Sequence, residues 1–464
     1  MARQSTTKLQ ISGYRFLVRR MQHALVRGDV RMLDDPLRAQ SLSLVAGCVL
    51  AVIGLSACAI LAFMQPRGAL GTAPIVMVRE SGALYVRIGD TMHPVLNLAS
   101  ARLIAGTAAN PELVSASAID NARRGPLVGI PGAPDTIAGP LNGDESVWTV
   151  CEDASSTTTV IAGQVASHLD ARQSALVTAR GESAATTYLL SKGRRAEVDL
   201  RNPAVVRALK LDGVTPRPVS RALIDALPEA PPITAPHIPG IGSAGPSMMG
   251  GFTVGTVVRV TRAGAGEYYV VLEDGVQRIG EVAADLIRFT HSHGRREIVT
   301  VAPGVIGSVP ILDALPVTTF PDHGGVAGDP VLCTRWTWSS TAGGVNSDVL
   351  VGNSLPMDGE DIPVKLAQAD DSGPGIDIVL LPHGRSAYVR AVGVTGEGAE
   401  IGSRFIVNDF GVVFGVRDED SAKRLGVTNL PVPAPWPLLA RLPRGPELSV
   451  EGASVRRDSV RAPS

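Results

Sequence analysis

The sequence predicts a single transmembrane helix plus a β-rich α+β extracytoplasmic domain, in which four β-meander/helix repeat units surround a disulfide-linked β core. Three observations lead there. One long uncharged apolar run lies near the N-terminus, a pattern of β-branched runs and glycine turns recurs four times, and two cysteines sit in strand-like contexts far apart in the chain. Fifty glycines and 34 prolines against 4% aromatics suit short strands and frequent turns. At 464 residues the chain exceeds what one apolar core serves, so several packed units are expected. A net charge of -1 provides no global basic field, so nucleic acid is not an expected partner.

The membrane segment is the plainest element. Ser41 to Met64 reads SLSLVAGCVLAVIGLSACAILAFM, without a charge. At about 1.5 Å per residue it spans roughly 36 Å, enough for a hydrocarbon layer of about 30 Å. A soluble core helix of this length would show a polar face. A cleaved signal has a shorter apolar stretch of about 7–15 residues. Residues 1–40 carry Arg3, Lys8, Arg15, Arg19, Arg20, Arg27, Arg31 and Arg38 against Asp29, Asp34 and Asp35. That excess places the N-terminus in the cytoplasm and the bulk of the chain on the outer side of the membrane.

The tail itself reads as a basic amphipathic helix. Leu17, Met21, Ala24 and Leu25 recur at helical spacing, Arg15, Arg19, Arg20 and Arg27 take other positions, and Ser12 is the expected N-cap. Two occupants suit such a helix equally: anionic membrane lipid, or the cytoplasmic parts of neighbouring subunits.

Four stretches, 75–104, 175–209, 256–287 and 387–425, share one order. A β-branched run is followed by a glycine turn and an aromatic-led strand at Tyr85, Tyr188, Tyr269 or Phe405. A second turn at Gly89, Gly193, Gly275 or Gly411 precedes another apolar stretch and a short helix. Each reads as two hairpins capped by a helix, too small to stand alone. The expected division is a tail at 1–40, the membrane helix at 41–64, and units at 72–109, 170–227, 252–297 and 385–443. The two halves of the core fall at 110–165 and 298–380. A Pro/Gly linker takes 228–251 and a disordered tail 444–464.

Cys48 and Cys58 lie in the apolar run and read as small lipid- or helix-facing residues. Cys151 in SVWTVCED and Cys333 in PVLCTRWTW share a strand-like context with a nearby tryptophan. In an oxidising compartment they read as a disulfide joining two related strands, the alternative being two unpaired buried thiols.

Chemistry-bearing motifs are scarce. GIGSAG, Gly240 to Gly245, has dinucleotide-loop spacing but follows a Pro-rich run, so it reads as linker. His291 and His293 form an H-x-H pair with no further ligand in view, and Asp370 and Asp371 read as turn residues. No Gly-Lys pair occurs anywhere, which excludes a Walker A loop as usually written. No catalytic residue, cofactor or metal site is expected.

Several short stretches carry a resemblance. Thr6-Thr7-Lys8, Ser12-Gly13, Arg15-Phe16-Leu17, Arg19-Arg20, His23 to Arg27 and Asp35-Pro36-Leu37 resemble the EccB family of the mycobacterial type VII (ESX) secretion system. The likeness extends through Leu84-Tyr85-Val86, His93-Pro94-Val95, Ser100 to Leu103, GIPGAP at Gly129 to Pro134, the Cys151 and Cys333 pair, and YYVVLEDG at Tyr268. It implies a subunit of an inner-membrane export complex with EccC, EccD, EccE and the mycosin protease as partners, and self-association of the periplasmic domain. EccC would carry the motor. Relatives are sometimes called ATPases, so an ATP-hydrolysing subunit is one competing reading. A cell-wall-binding module is another.

Overall fold

The computed structural model describes residues 7–28, 36–64, 70–141, 147–163, 169–171, 173–182, 186–262, 265–291, 297–339, 344–358, 362–398 and 400–459. By contacts the chain divides into two units, residues 1–71 and residues 72–464.

The first unit holds two helices. The first runs Lys8–Arg27. It begins five residues earlier than an N-cap at Ser12 implies, because Thr7 is the extended N-cap and its N–H donates to Gln10 Oε1 at 3.1 Å, as in a capping box. Ser12 therefore lies inside the helix. Gly28 ends it in the left-handed region at φ 66°, its N–H bonded to Ala24 O at 2.9 Å. The second helix runs Pro36–Met64, starting on a proline suited to a first turn. Its Gln40–Leu61 portion has mean hydropathy 2.6 and is nowhere covered by other protein.

The second unit contains four sheets of one design around a fifth. In the first sheet Glu112–Val114, Ile75–Val78, Leu84–Ile88, Thr91–Pro94 and Arg123–Arg124 lie side by side in that order. The first three strands in sequence form an antiparallel meander, and the helix Leu98–Ala105 then returns the chain to pair Glu112–Val114 parallel to Ile75–Val78. The second sheet repeats that order with Arg217–Val219, Ala175–Ala179, Thr187–Ser191, Arg194–Glu197 and Glu229–Ala230. The third comprises Val276–Ile279, Ala265–Val271, Val257–Arg262 and Val299–Thr300, its fifth strand shrunk to a parallel bridge from Val276 to Ile311. The fourth comprises Val413–Val416, Arg404–Val407, Arg385–Val392 and Val432–Pro435, with parallel bridges from Val413 to Arg444 and from Val416 to Leu448.

The central sheet runs Gly344–Gly352, Val331–Ser339, Val147–Glu152, Thr158–Ala162, Ile378–Leu380, Val364–Lys365. Its alternation buries both faces. Trp148, Val150, Leu332 and Trp336 point into the largest core, shared with the second and fourth sheets. Cys151, Ile161, Val331, Cys333, Leu350 and Leu380 form a smaller cluster on the reverse face. The second and third sheets share a further core, which contains Val205, Val282 and Leu286. The first and fourth share another, containing Leu103, Ile406, Phe414 and Leu425.

Three boundaries read from sequence shift. Glu112–Val114 and Arg123–Arg124 belong to the first sheet, and Val299–Thr300 to the third, although both lie in ranges assigned to the core. Parallel return strands are separated from their partners by a helix, so local periodicity does not reveal them. The stretch 228–251 is not a free linker: Glu229–Ala230 completes the second sheet, and Ile233, Ile238 and Met249 are buried. Residues 444–459 of the expected disordered tail are ordered. Leu448 and Ala453 sit fully buried beside Leu103, and Arg456–Arg457 pairs antiparallel with Leu127–Val128. Their backbone bonds and two small apolar anchors hold them, a pattern that composition alone does not expose.

Candidate functional site: the membrane unit and the disulfide core

The basic helix sets Arg15 and Arg19 one turn apart on a common side, with Arg20 displaced around the axis, and ends at Arg27. Arg15, Arg19 and Arg20 are solvent-exposed, and no acidic residue occurs between Lys8 and Arg27. Cys48 and Cys58 are exposed and unbridged in the apolar helix.

Cys151 and Cys333 are directly opposed on antiparallel strands and form a disulfide across 182 residues of sequence. Their Cα atoms are 4.0 Å apart and both residues are fully buried. Three residues along, Trp148 opposes Trp336 on the other face, so the matching sequence contexts correspond to one register. The bridge thus closes the centre of the sheet that joins the two halves of the domain.

Next to the bridge lies a charged cluster that sequence reasoning missed. Glu152 is fully buried. Its Oε1 pairs with Arg180 Nη2, and its Oε2 accepts the Ser220 N–H at 2.8 Å. Burial pushes its carboxyl above the usual carboxylate range, against the opposing pull of the Ser220 N–H, Arg180 and Arg217. Arg217 donates through Nη2 to the Glu152, Asp153 and Pro330 carbonyls at 3.1, 2.8 and 2.9 Å, and burial lowers its guanidinium pKa. The arginines come from the second sheet and the carboxylate from the central one, so the cluster joins the two. A glutamate inside a β-branched run was the available signal. Asp377, also fully buried, accepts the N–H groups of Thr158, Asp370 and Asp371 at 2.8, 3.0 and 2.7 Å. Asp370 and Asp371 are therefore turn residues folded over a carboxylate, with Asp371 at φ 53°.

A cleft of about 550 Å³ lies where the second and third sheets meet. Its charged groups are paired: Lys192 with Asp322, Lys210 and His323 with Glu281, and Arg278 with Glu267. Hydrogen bonds from His323 and Lys210 hold Glu281 below the usual carboxylate range. The Gly240 to Gly245 loop bonds its own chain, with Gly242 N–H on Val254 O and Gly245 N–H on Phe252 O, both at 3.0 Å. It is a packed turn whose amides do not form a phosphate cradle. His291 caps the helix Glu281–Thr290, whereas His293 lies outside the described residues. Among the described residues no group of three His, Cys, Asp or Glu has metal-ligand geometry.

These features define a membrane-anchored scaffold: an apolar spanning helix behind a basic helix, and a disulfide-tied assembly of similar sheets. The chain belongs to the EccB family of type VII secretion proteins; the family model described as "Type VII secretion system ESX-1, transport TM domain B" matches residues 3–462. The ESX-3 secretion system ATPase EccB3 of Mycolicibacterium smegmatis is 37% identical, with 98% of this chain and 91% of that protein covered. The ESX-5 secretion system ATPase EccB5 of Mycobacterium tuberculosis is 36% identical over 98% of this chain and 94% of its own length. Among solved structures, a chain of the intact ESX-5 inner membrane complex matches with TM-score 0.71 at 33% identity, covering 100% of this chain and 98% of that one. A chain of the EccB3 dimer from the ESX-3 core complex also gives 0.71 at 33% identity, covering 82% of this chain and all of that one.

Proposed function

We propose that this chain is a structural and assembly subunit of a type VII secretion inner-membrane complex. The observation that carries the reading is the full-length fold match to a chain of the ESX-5 inner membrane complex. One helix anchors the chain, residues 1–40 face the cytoplasm, and the large unit stands in the periplasm. The arginine excess before the span supports that orientation, as does a bridge between Cys151 and Cys333, which suits an oxidising compartment. The four similar sheets are copies of one repeat, and the large unit associates with copies from neighbouring protomers, as the relative described as a dimer does. EccC, EccD, EccE and the mycosin protease are its partners. Affinity purification of the tagged full chain from membranes tests this: co-purification of EccC, EccD and EccE is expected, and recovery of the chain alone would contradict it.

A second reading rests on the relatives' names, which include the word ATPase. Phosphoryl transfer requires amides and cations converging on the β- and γ-phosphates, with Mg²⁺ held nearby. The five lysines, Lys8, Lys192, Lys210, Lys365 and Lys423, are scattered, and none follows a glycine. Purified full chain with ATP and Mg²⁺ separates the readings. Saturable hydrolysis that co-elutes with the protein and is abolished by one Arg or Asp substitution would overturn the structural one. No turnover above a mock preparation is the expected result.

A further inference from the structure

We propose that the helix Lys8–Arg27 lies along the surface of an anionic lipid bilayer, with its apolar stripe among the acyl chains. The first observation is an unpartnered apolar face. Ile11, Tyr14, Leu17, Met21 and Leu25 are between 45% and 80% exposed. At about 100° per residue they fall within one arc of roughly 120°. The second is how charge is placed around that arc. Lys8, Arg15 and Arg19 lie beyond one edge, Arg20 lies beyond the other, and the helix has no acidic residue. Cations straddling an apolar stripe on both sides match a plane whose surface is negative and whose interior is apolar.

The third observation is the tether. Eight residues, 28–35, separate this helix from the one that carries the membrane span. Fully extended they reach no further than about 28 Å, so the stripe is held at high local concentration near the bilayer. A groove on another protein would need acidic rims on both sides of an apolar floor, whereas phosphatidylglycerol or another anionic lipid provides both features with no fitted partner. The inference does not depend on the assembly role proposed above.

The test uses the full chain in nanodiscs and reads amide hydrogen exchange over residues 8–27. A free helix of this length frays, whereas one seated in the interface is protected. Protection is expected in phosphatidylglycerol nanodiscs and not in phosphatidylcholine ones, and it should weaken in about 0.5 M salt, where the Debye length falls to a few ångströms. R15Q/R19Q/R20Q is expected to lower it at least tenfold, since each basic residue contributes roughly fivefold at an anionic surface. L17Q/M21Q should lower it in low and high salt alike, which separates stripe from charge. These substitutions lie outside residues 72–464, whose exchange serves as the folding control. Equal protection in both lipids would overturn the anionic-surface assignment. Protection absent from either nanodisc and appearing only in the purified secretion complex would place a protein on this face and overturn it as well.

Discussion

Removing the bridge between Cys151 and Cys333 perturbs the fold at its most central covalent link. The two residues are 182 apart in sequence. In the chain-entropy model, freeing a loop of that length adds about 5 kcal/mol of conformational freedom to the unfolded state. The large unit, Thr72–Ser464, has roughly 390 residues. With an unfolding entropy of about 2.1 cal/mol/K per residue, 5 kcal/mol corresponds to a fall in Tm of roughly 6 °C. Alanine suits the test better than serine, because both positions are fully buried beside Ile161, Val331 and Leu350, where a hydroxyl would lack a partner. The assay is scanning calorimetry of C151A/C333A against the parent without reductant, with parent refolded in reductant as a second comparison. Reduced parent isolates the cross-link, because its side chains are otherwise unchanged. Both are expected to melt several degrees below the oxidised parent. If both melted within a degree of it, the bridge would not hold the central sheet together and the reasoning would fail.

Two other substitutions and one truncation probe packing elsewhere in the large unit. G193A should destabilise the large unit by about 2 kcal/mol, because Gly193 sits at φ 66° with its Cα against the Ser347 carbonyl, and chemical denaturation measures the loss. Truncation after Pro443 removes the buried Leu448 and Ala453 and should raise amide exchange in the helix Leu98–Ala105, with little change in the central sheet. For Glu281 the sign follows from its lowered folded pKa: its pairing with His323 and Lys210 stabilises at pH above the ordinary carboxylate value and is lost as pH falls through the lower folded value. E281Q should therefore lower Tm near neutral pH and flatten the parent's loss of Tm on acidification, with no difference remaining at the acid end.

What could be read in the sequence was local or covalent. The uncharged run from Ser41 to Met64 dictates a spanning helix because no other environment suits it. Cys151 and Cys333 were legible because each had a tryptophan three residues away, on what proved to be one antiparallel register. The helix start was misplaced because Ser12 and Thr7 are both acceptable caps, and only the Gln10 contact decides between them. Return strands such as Glu112–Val114 were assigned elsewhere because their partners are separated from them by a helix. The Arg180–Glu152–Arg217 cluster joins residues up to 65 apart, and no spacing rule brings them together. The C-terminal stretch looked free because it carries few large apolar groups, yet Leu448 and Ala453 suffice once Leu103 is in place.

The central claim is that the chain builds the export complex rather than driving it. The direct measurement is blue-native electrophoresis with mass spectrometry on membranes from cells lacking the chain, then restored with the full-length protein. The account expects the high-mass species containing EccC, EccD and EccE to vanish in the deletion and to return with the restored chain. A complex of unchanged mass and composition in its absence would contradict the account.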